Sequence, residues 1–484
     1  MAGRVDPADG LVAIVKRDCP TCVLVAPVLR QLVSAVAEVG GAMTVASQDD
    51  PGFPEGMTVV DDTSLALSWH LDLTTVPTLL RVVGGVEVGR IEGWSRPQWE
   101  AFTGVAGLGD GLPEHRPGCG SKSVEPGIAD ELAVRFGGSV LRARRVELAA
   151  MEDEHEALFD RGWTDGLPVV PPTEVRVLRM LAGTTRRPSD VVAIVPPDLV
   201  ECSVEKVAVN AVMAGCKPEY LPLVIAALEA ACTDEFNVHG LTATTWFSSP
   251  VIVVNGPIAK AIGMNSGINA LGQGNRANAS IGRAVNLVIR NVGGGRPGEV
   301  DRSALGNPGK LTFCFAEDED GSPFTPLSVS RGGVAGHSAV TLFAGSGVQA
   351  MADQLSRTPE SLARSLAACL RTVGHPKAPL AFDALLVLSP EHGRVFREAA
   401  WDRERLLGEL SSLLQLPGAE IVRGAGGIAE GVPEAYVDAT FPKFRDGGLL
   451  IAHAGGGAGL FSAIIGGWVS GATGSQPVTR EVFP

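Results

Sequence analysis

Apolar positions run unbroken through residues 11–15, then recur at helical spacing over 23–39, with a short polar break between. A continuous apolar run of that length predicts a buried strand, and the 3.6-residue repeat after it predicts a helix on the same core. The alternation goes on: a strand over 43–46, a helix over 64–70, a strand over 76–82, a Gly84-Gly85 turn, a strand over 86–91 and a closing helix over 97–104. Residues 104–127 lose this periodicity and fill with glycine, proline and charge, which predicts an interdomain linker; a long helix is expected over 128–159.

From Arg161 the pattern changes. Residues 162–173 read as a rigid turn segment, followed by helices over 174–182, 203–214, 219–232 and 279–291 and strands over 191–195, 251–254, 311–316, 384–388 and 449–452. The apolar stretch 449–469, broken by glycines and His453, reads as strand, loop and helix. A strand followed by Asn255-Gly256-Pro257 and a strand followed by Ser389-Pro390-Glu391-His392 repeat one signal, which points to a duplicated α/β unit. The chain is therefore expected to be α/β: a domain over 1–105, a linker and connecting helix over 106–160, and a larger multi-layer α/β domain over 161–484 that is catalytic or substrate-binding.

Composition narrows the setting. A chain of 484 residues holds two or three domains. The net charge of −14 argues against nucleic acid or an anionic membrane as partner. No basic segment leads into an apolar run as in a signal peptide, and no run is expected to be long enough to span a bilayer. Eight cysteines in this length are no disulfide framework, so a cytoplasmic, reducing setting is expected, where a C-x-x-C is more often catalytic than structural.

That motif is Cys19-Pro20-Thr21-Cys22, between the first strand and the first helix. A helix N-terminus favours a thiolate at the first cysteine, and the two-residue spacer lets the second attack a mixed disulfide. Asp18 would raise the thiol pKa, while Lys16 and Arg17 would lower it. With no second C-x-x-C at zinc-finger spacing, a zinc knuckle is disfavoured. Cys119, flanked by Gly118 and Gly120 and near Arg116 and Lys122, is either a mobile reactive thiol or an incidental exposed one. The element order, the C-x-x-C and Thr75-Val76-Pro77-Thr78 together resemble the thioredoxin superfamily over nearly the whole of the first domain. The resemblance implies Cys19 as nucleophile, Cys22 as resolving cysteine, and Pro77 as a cis-proline lying against them; the Pro-Thr dipeptide departs from the family's Gly-Pro.

In the large domain, the glycine- and asparagine-rich loop before the 279–291 helix carries Gly272, Gly274, Arg276 and Asn278, with Arg283 on the same helix face as Arg276. Backbone amides at a helix start with two arginines make a candidate anion site. Lys206 and Asn210 share another helix face and are candidate substrate ligands. Cys216, at a helix end beside Lys217, is the candidate thiol of this domain, with Cys202 second; His392, His453 and Glu317 are candidate proton carriers. Gly162-Trp163-Thr164-Asp165-Gly166-Leu167-Pro168, Ala214-Gly215-Cys216, Pro218-Glu219-Tyr220, Asn275-Arg276-Ala277-Asn278, Pro390-Glu391-His392 and Phe461-Ser462-Ala463 together resemble a sparsely characterised bacterial family. Its members are often found alongside small selenocysteine- or cysteine-containing proteins. The resemblance implies a domain that consumes reducing equivalents or handles sulfur.

The expected function is a cytoplasmic thiol-dependent enzyme. Its thioredoxin-like domain would supply electrons or sulfur to a large domain acting on a small anionic substrate, by reductive cleavage or sulfur transfer. The catalytic set is Cys19, Cys22, Pro77, Cys119, Cys216 and His392. No obligatory cofactor beyond the redox-active dithiol is expected, and the metal requirement is left open. Expected partners are the small substrate and an external thiol reductase or small thiol or selenol protein, with a homo-oligomer compatible. Two alternatives stand beside it: a protein disulfide reductase fused to a ligand-binding module, and a metal-dependent lyase or hydrolase using His and carboxylate ligands.

Overall fold

The computed structural model describes residues 9–138, 140–149, 151–471 and 474–483. The chain is mixed α/β and divides into two compact units, Met1–Val140 and Leu141–Pro484. The boundary falls well past residue 105 because residues 106–127 pack on the first unit instead of forming a free linker.

In the first unit, β1 (Gly10–Val15) leads into α1 (Pro20–Glu38), followed by β2 (Met43–Ser47), β3 (Val60–Asp61), α2 (Ala66–His70), β4 (Thr75–Val76), β5 (Thr78–Val83), β6 (Val86–Glu92), β7 (Trp94–Ser95) and α3 (Arg96–Thr103). The five-stranded sheet has the order β3-β2-β1-β5-β6, with β1 parallel to β2 and antiparallel to β5. A central strand is covered on both faces, which is why residues 11–15 are apolar without alternation. Helix α1, 19 residues with mean hydropathy 1.5, is long and apolar enough by length and composition to cross a membrane, contrary to the expectation that no run is. Its Cys22, Val25, Val28, Leu29 and Leu32 are buried in the core of this unit.

Beyond α3 the chain returns across the same unit. β8 (His115–Arg116) pairs with β7, and β9 (Cys119–Gly120) pairs antiparallel with β4; α4 (Ile128–Phe136) follows. Buried Gln48 fastens this return: its Nε2 donates to Ser68 Oγ and Ser121 Oγ, each at 2.7 Å, and its Oε1 accepts from Lys122 N–H at 3.1 Å. Ser123 Oγ donates to Leu73 O at 2.9 Å. The helix expected over 128–159 is interrupted, since α4 ends at Gly137-Gly138.

The second unit opens with an extended stretch whose Arg142 and Ala143 N–H groups donate to the buried Glu205 carboxylate. Its elements are α5 (Glu154–Asp160), α6 (Glu174–Leu181), β10 (Val191–Val195), β11 (Val200–Ser203), α7 (Val204–Ala214), α8 (Leu221–Ala231), α9 (Val238–Ala243), β12 (Ser249–Asn255), α10 (Pro257–Ala261), α11 (Arg276–Asn291), β13 (Cys314–Ala316), α12 (Leu327–Ser330) and β14 (Ala339–Ala352). Then come α13 (Pro359–Leu370), β15 (Phe382–Leu388), α14 (Pro390–Glu398), α15 (Arg403–Leu413), β16 (Gln415–Pro417), α16 (Gly418–Ile421), β17 (Thr440–Pro442), β18 (Leu449–His453), β19 (Phe461–Val469) and β20 (Val478–Glu481). The main sheet has seven strands in the order β13-β12-β14-β19-β15-β18, with β20 on β14. β12 and β13 are parallel, as are β15 and β18, and the long β14 joins the two pairs through antiparallel β19. The like signals at 255–257 and 389–392 occupy like places, each starting a helix at the C-terminal end of a strand. Residues 461–469 form a strand where a helix was expected. Its Gly467 lets β15 approach: a Cβ there would lie 2.8 Å from Asp383 O.

Buried Glu317, just past β13, ties the two halves of this sheet together. Its carboxylate accepts from Asn255 Nδ2 at the end of β12, Leu327 N–H at the start of α12 and His453 N–H at the end of β18, at 2.7, 2.7 and 3.3 Å. The buried Arg403 guanidinium lies 3.9 Å away and donates to Ile451 O and Thr325 O. Removing one partner of a buried ion pair strands the other. Glu317→Ala should therefore destabilise the second unit by about 3–5 kcal/mol in chemical denaturation.

Candidate active site

Cys19 is the N-cap of α1, and its Sγ accepts the Cys22 N–H at 3.4 Å. Cys119 Sγ lies 2.6 Å from Cys19 Sγ, closer than two non-bonded sulfurs rest, and Val76 O is 3.5 Å from the same atom. The three sulfurs are free, with Cys19 and Cys22 buried and Cys119 partly exposed. The Cys22 thiol, donating to Cys19, holds the Cys19 pKa down at about 5 against the cost of burial, with Cys119 and the backbone N–H groups of Cys22 and Thr21 adding to the effect. Burial and the neighbouring Cys19 push both Cys22 and Cys119 upward. The arrangement sets one sulfur with a lowered pKa beside two whose pKa is raised.

The start of α1 contributes as expected, through the Cys22 and Thr21 N–H groups, but the larger lowering comes from the Cys22 thiol. The basic neighbours are otherwise occupied: Arg17 is engaged with Asp50 and Glu55, and Lys16 faces Glu125 at 3.7 Å. The peptide between Val76 and Pro77 is cis, and the β4 pairing places Val76 opposite Cys119 and Thr75 opposite Gly120. Thr21 Oγ1, inside the C-x-x-C, donates to Pro117 O at 2.7 Å, and Ser121 N–H donates to Thr74 O at 2.9 Å. Gly118 allows the approach: a Cβ on it would sit 2.4 Å from Thr75 Cγ2 and 2.8 Å from Val76 O. Gln48, Thr21, Gly118 and Ser121 were not singled out from sequence; the only local signal was the placement of Thr21 between the two cysteines.

The second unit gives its expected site residues other work. Cys216 is buried, its S–H directed at Ser280 O at 3.4 Å, and burial pushes its pKa up to about 12. Burial does the same to Cys202. Arg276 Nε donates to Gly215 O at the end of α7. Arg283 forms a two-pronged ion pair with Asp165, both contacts at 2.7 Å, so the turn segment 162–168 and the α11 arginine satisfy each other. Asn278 bonds the loop backbone at Asn265 and Ala270, and Gly272 and Gly274 lie exposed in that loop. His392 is buried with both ring nitrogens engaged, by Ser462 Oγ at 2.7 Å and Asp353 O at 3.0 Å.

His453 differs from His392. Its Nδ1 lies 3.3 Å from Asp318 O and 3.4 Å from Asp318 Oδ2, and its buried Nε2 has no partner among the described residues. Burial lowers its pKa, against the opposing pull of Asp318. Gly393 packs against Nε2, since a Cβ there would lie 2.8 Å away. Lys206 and Asn210 line a half-open cavity of about 830 Å³ with Arg144, Arg161 and Trp163; Lys206 Nζ itself donates to Glu201 O, and Asn210 Oδ1 accepts from Asn291. Among the described residues, no three His, Cys, Asp or Glu side chains are grouped to hold a metal ion.

No known family model matches the chain, and no curated protein matches it.

Three outcomes follow. The ultraviolet thiolate absorbance lost in Cys19→Ser, which needs no reagent to reach the buried sulfur, should rise through a midpoint near pH 5 in the wild type. Because a donated hydrogen bond to the thiolate is what lowers that pKa, Cys22→Ala should move the midpoint upward. Cys216 should resist alkylation at pH 8 in the native protein and react once the chain is unfolded in guanidinium.

Proposed function

We propose that the chain is a thiol-dependent enzyme whose first unit is a thioredoxin-like thiol–disulfide exchange centre and whose second unit binds a small substrate. The observation that carries this reading is the place of Cys19 at the start of α1, its Sγ 2.6 Å from Cys119 Sγ and 3.4 Å from the Cys22 N–H, with its pKa lowered to about 5. The strand order around β1 and the placing of Pro77 directly after the Val76 carbonyl that faces Cys19 support the thioredoxin-like part of it.

The exchange runs as follows. The Cys19 thiolate attacks one sulfur of a client disulfide and expels the other as a thiolate, leaving a mixed disulfide at Cys19. A second thiol in the site, Cys22 or Cys119, gives its proton to the departing thiolate and attacks Cys19 Sγ. That step frees the second client thiol and leaves a disulfide inside the protein. Two electrons pass from the protein dithiol to the client, and an external thiol reductant restores the reduced form. Cys216, being buried and protonated, takes no part.

Cys119 is an exchange partner in this scheme because β9 lies where an incoming peptide strand would pair with β4. Mild oxidation of Cys22→Ser with diamide should give an intramolecular Cys19–Cys119 disulfide, seen as a loss of two hydrogens in intact mass and a cross-linked peptide after digestion. Gly118→Val should suppress that cross-link, since its side chain meets Thr75 and Val76. The wider reading is tested by turnover of a small aromatic disulfide with excess dithiothreitol. Wild type should accelerate reduction and Cys19→Ser should fall to the uncatalysed rate; equal rates for the two would overturn the proposal.

A further inference from the structure

The second unit holds a small, partly open cavity of about 150 Å³ at the start of β12 and beside the last turns of α11. Three of the groups that line it are polar and without partners. Ser248 and Ser249 are 1 % and 2 % exposed, and neither hydroxyl has a hydrogen-bond partner among the described residues. Arg290 Nε, likewise buried, has none either. Buried hydroxyl and guanidinium groups are normally bonded, and each one left without a partner costs on the order of 1–3 kcal/mol or more. Three on one cavity mark a place where something polar belongs.

The charges around the cavity say what kind of group. Asp165 lines it but is neutralised by Arg283, and Asp301 lines it but is neutralised by Lys310 at 2.7 and 2.8 Å. These pairs cancel and leave the Arg290 guanidinium as the net charge. The C-terminal end of α11 adds a partial negative charge of about half a unit, which a full guanidinium outweighs. The volume sets the size. At roughly 30 Å³ per water molecule the cavity holds the equivalent of about five waters, enough for a tetrahedral oxyanion or a short carboxylate, whereas drug- or cofactor-sized ligands need roughly 300 Å³ or more.

We infer that this cavity is a binding site for a small oxyanion, with Arg290 as the charged donor and the Ser248 and Ser249 hydroxyls as neutral donors. It stands apart from the thiol chemistry of the first unit, and Cys19 has no part in it. The site also adds to an expectation: α11 carries a further arginine available to an anion, two turns beyond Arg283, while Arg283 is spent on the protein itself and Arg276 commits its Nε to Gly215 O.

The test is isothermal titration of the full-length protein with sulfate, phosphate and acetate, each at constant ionic strength. At least one should bind saturably at one site. Arg290→Gln should weaken that binding about tenfold or more, as expected for loss of a charge-assisted hydrogen bond, and Arg290→Lys should recover part of it. Cys19→Ser should bind as wild type does, which separates this proposal from the thiol reading. If Arg290→Gln does not fold by circular dichroism, the double variant Ser248→Ala, Ser249→Ala serves, and binding there should also fall. Absence of saturable binding by all three anions, showing the cavity to hold water alone, or binding unchanged in the folded variants, would overturn the inference.

Discussion

Removing a polar group from water without giving it a partner costs more than most single packing contacts return, and that constraint organises both units of this protein. In the first unit, buried Gln48 is satisfied only if residues 121 and 122 come back to it. In the second, Glu317 is satisfied only if β12, α12 and β18 end around one carboxylate, and Glu205 only if the extended stretch at 142–143 lies along α7. Each such bond joins segments far apart in sequence.

The thiol centre follows from the first of these. Once Ser121 and Lys122 are held by Gln48, Cys119 has little freedom left, and the pairing of β9 with β4 carries its sulfur to Cys19. Local chemistry then takes over. The N-terminus of α1 and two thiol donors concentrate negative charge on Cys19, while burial keeps protons on the other two sulfurs. Such a spread of pKa values is what the proposed exchange between a nucleophile and its resolving partners would need.

Candidates chosen by residue type fared differently in the second unit because the fold uses them for cohesion. Arg283 completes Asp165, Arg276 caps the end of α7, His392 bridges Ser462 and Asp353, and Cys216 sits in the core. An arginine beside a glycine-rich loop looks the same in sequence whether it waits for a ligand or holds its own chain. What separates Arg290 from Arg283 is a carboxylate more than a hundred residues away, and no local pattern carries that information.

The strands and helices of the first unit were legible in the periodicity of apolar positions, as was the C-x-x-C at a helix start, because both depend on neighbours a few residues apart. The failures have the same cause in reverse. Residues 104–127 are polar and glycine-rich like any linker, yet they dock because Gln48 and the β4 edge offer them partners. Residues 461–469 are apolar enough for a buried helix, yet become a strand because β14 and β15 each need a neighbour and Gly467 lets one in. The sequence by itself determined which segments could be buried and which cysteine would carry a thiolate at a helix end. Only the tertiary structure decided which distant sulfur meets that thiolate and which polar side chains keep a free hydrogen bond, because a buried group is satisfied by whatever the fold brings to it.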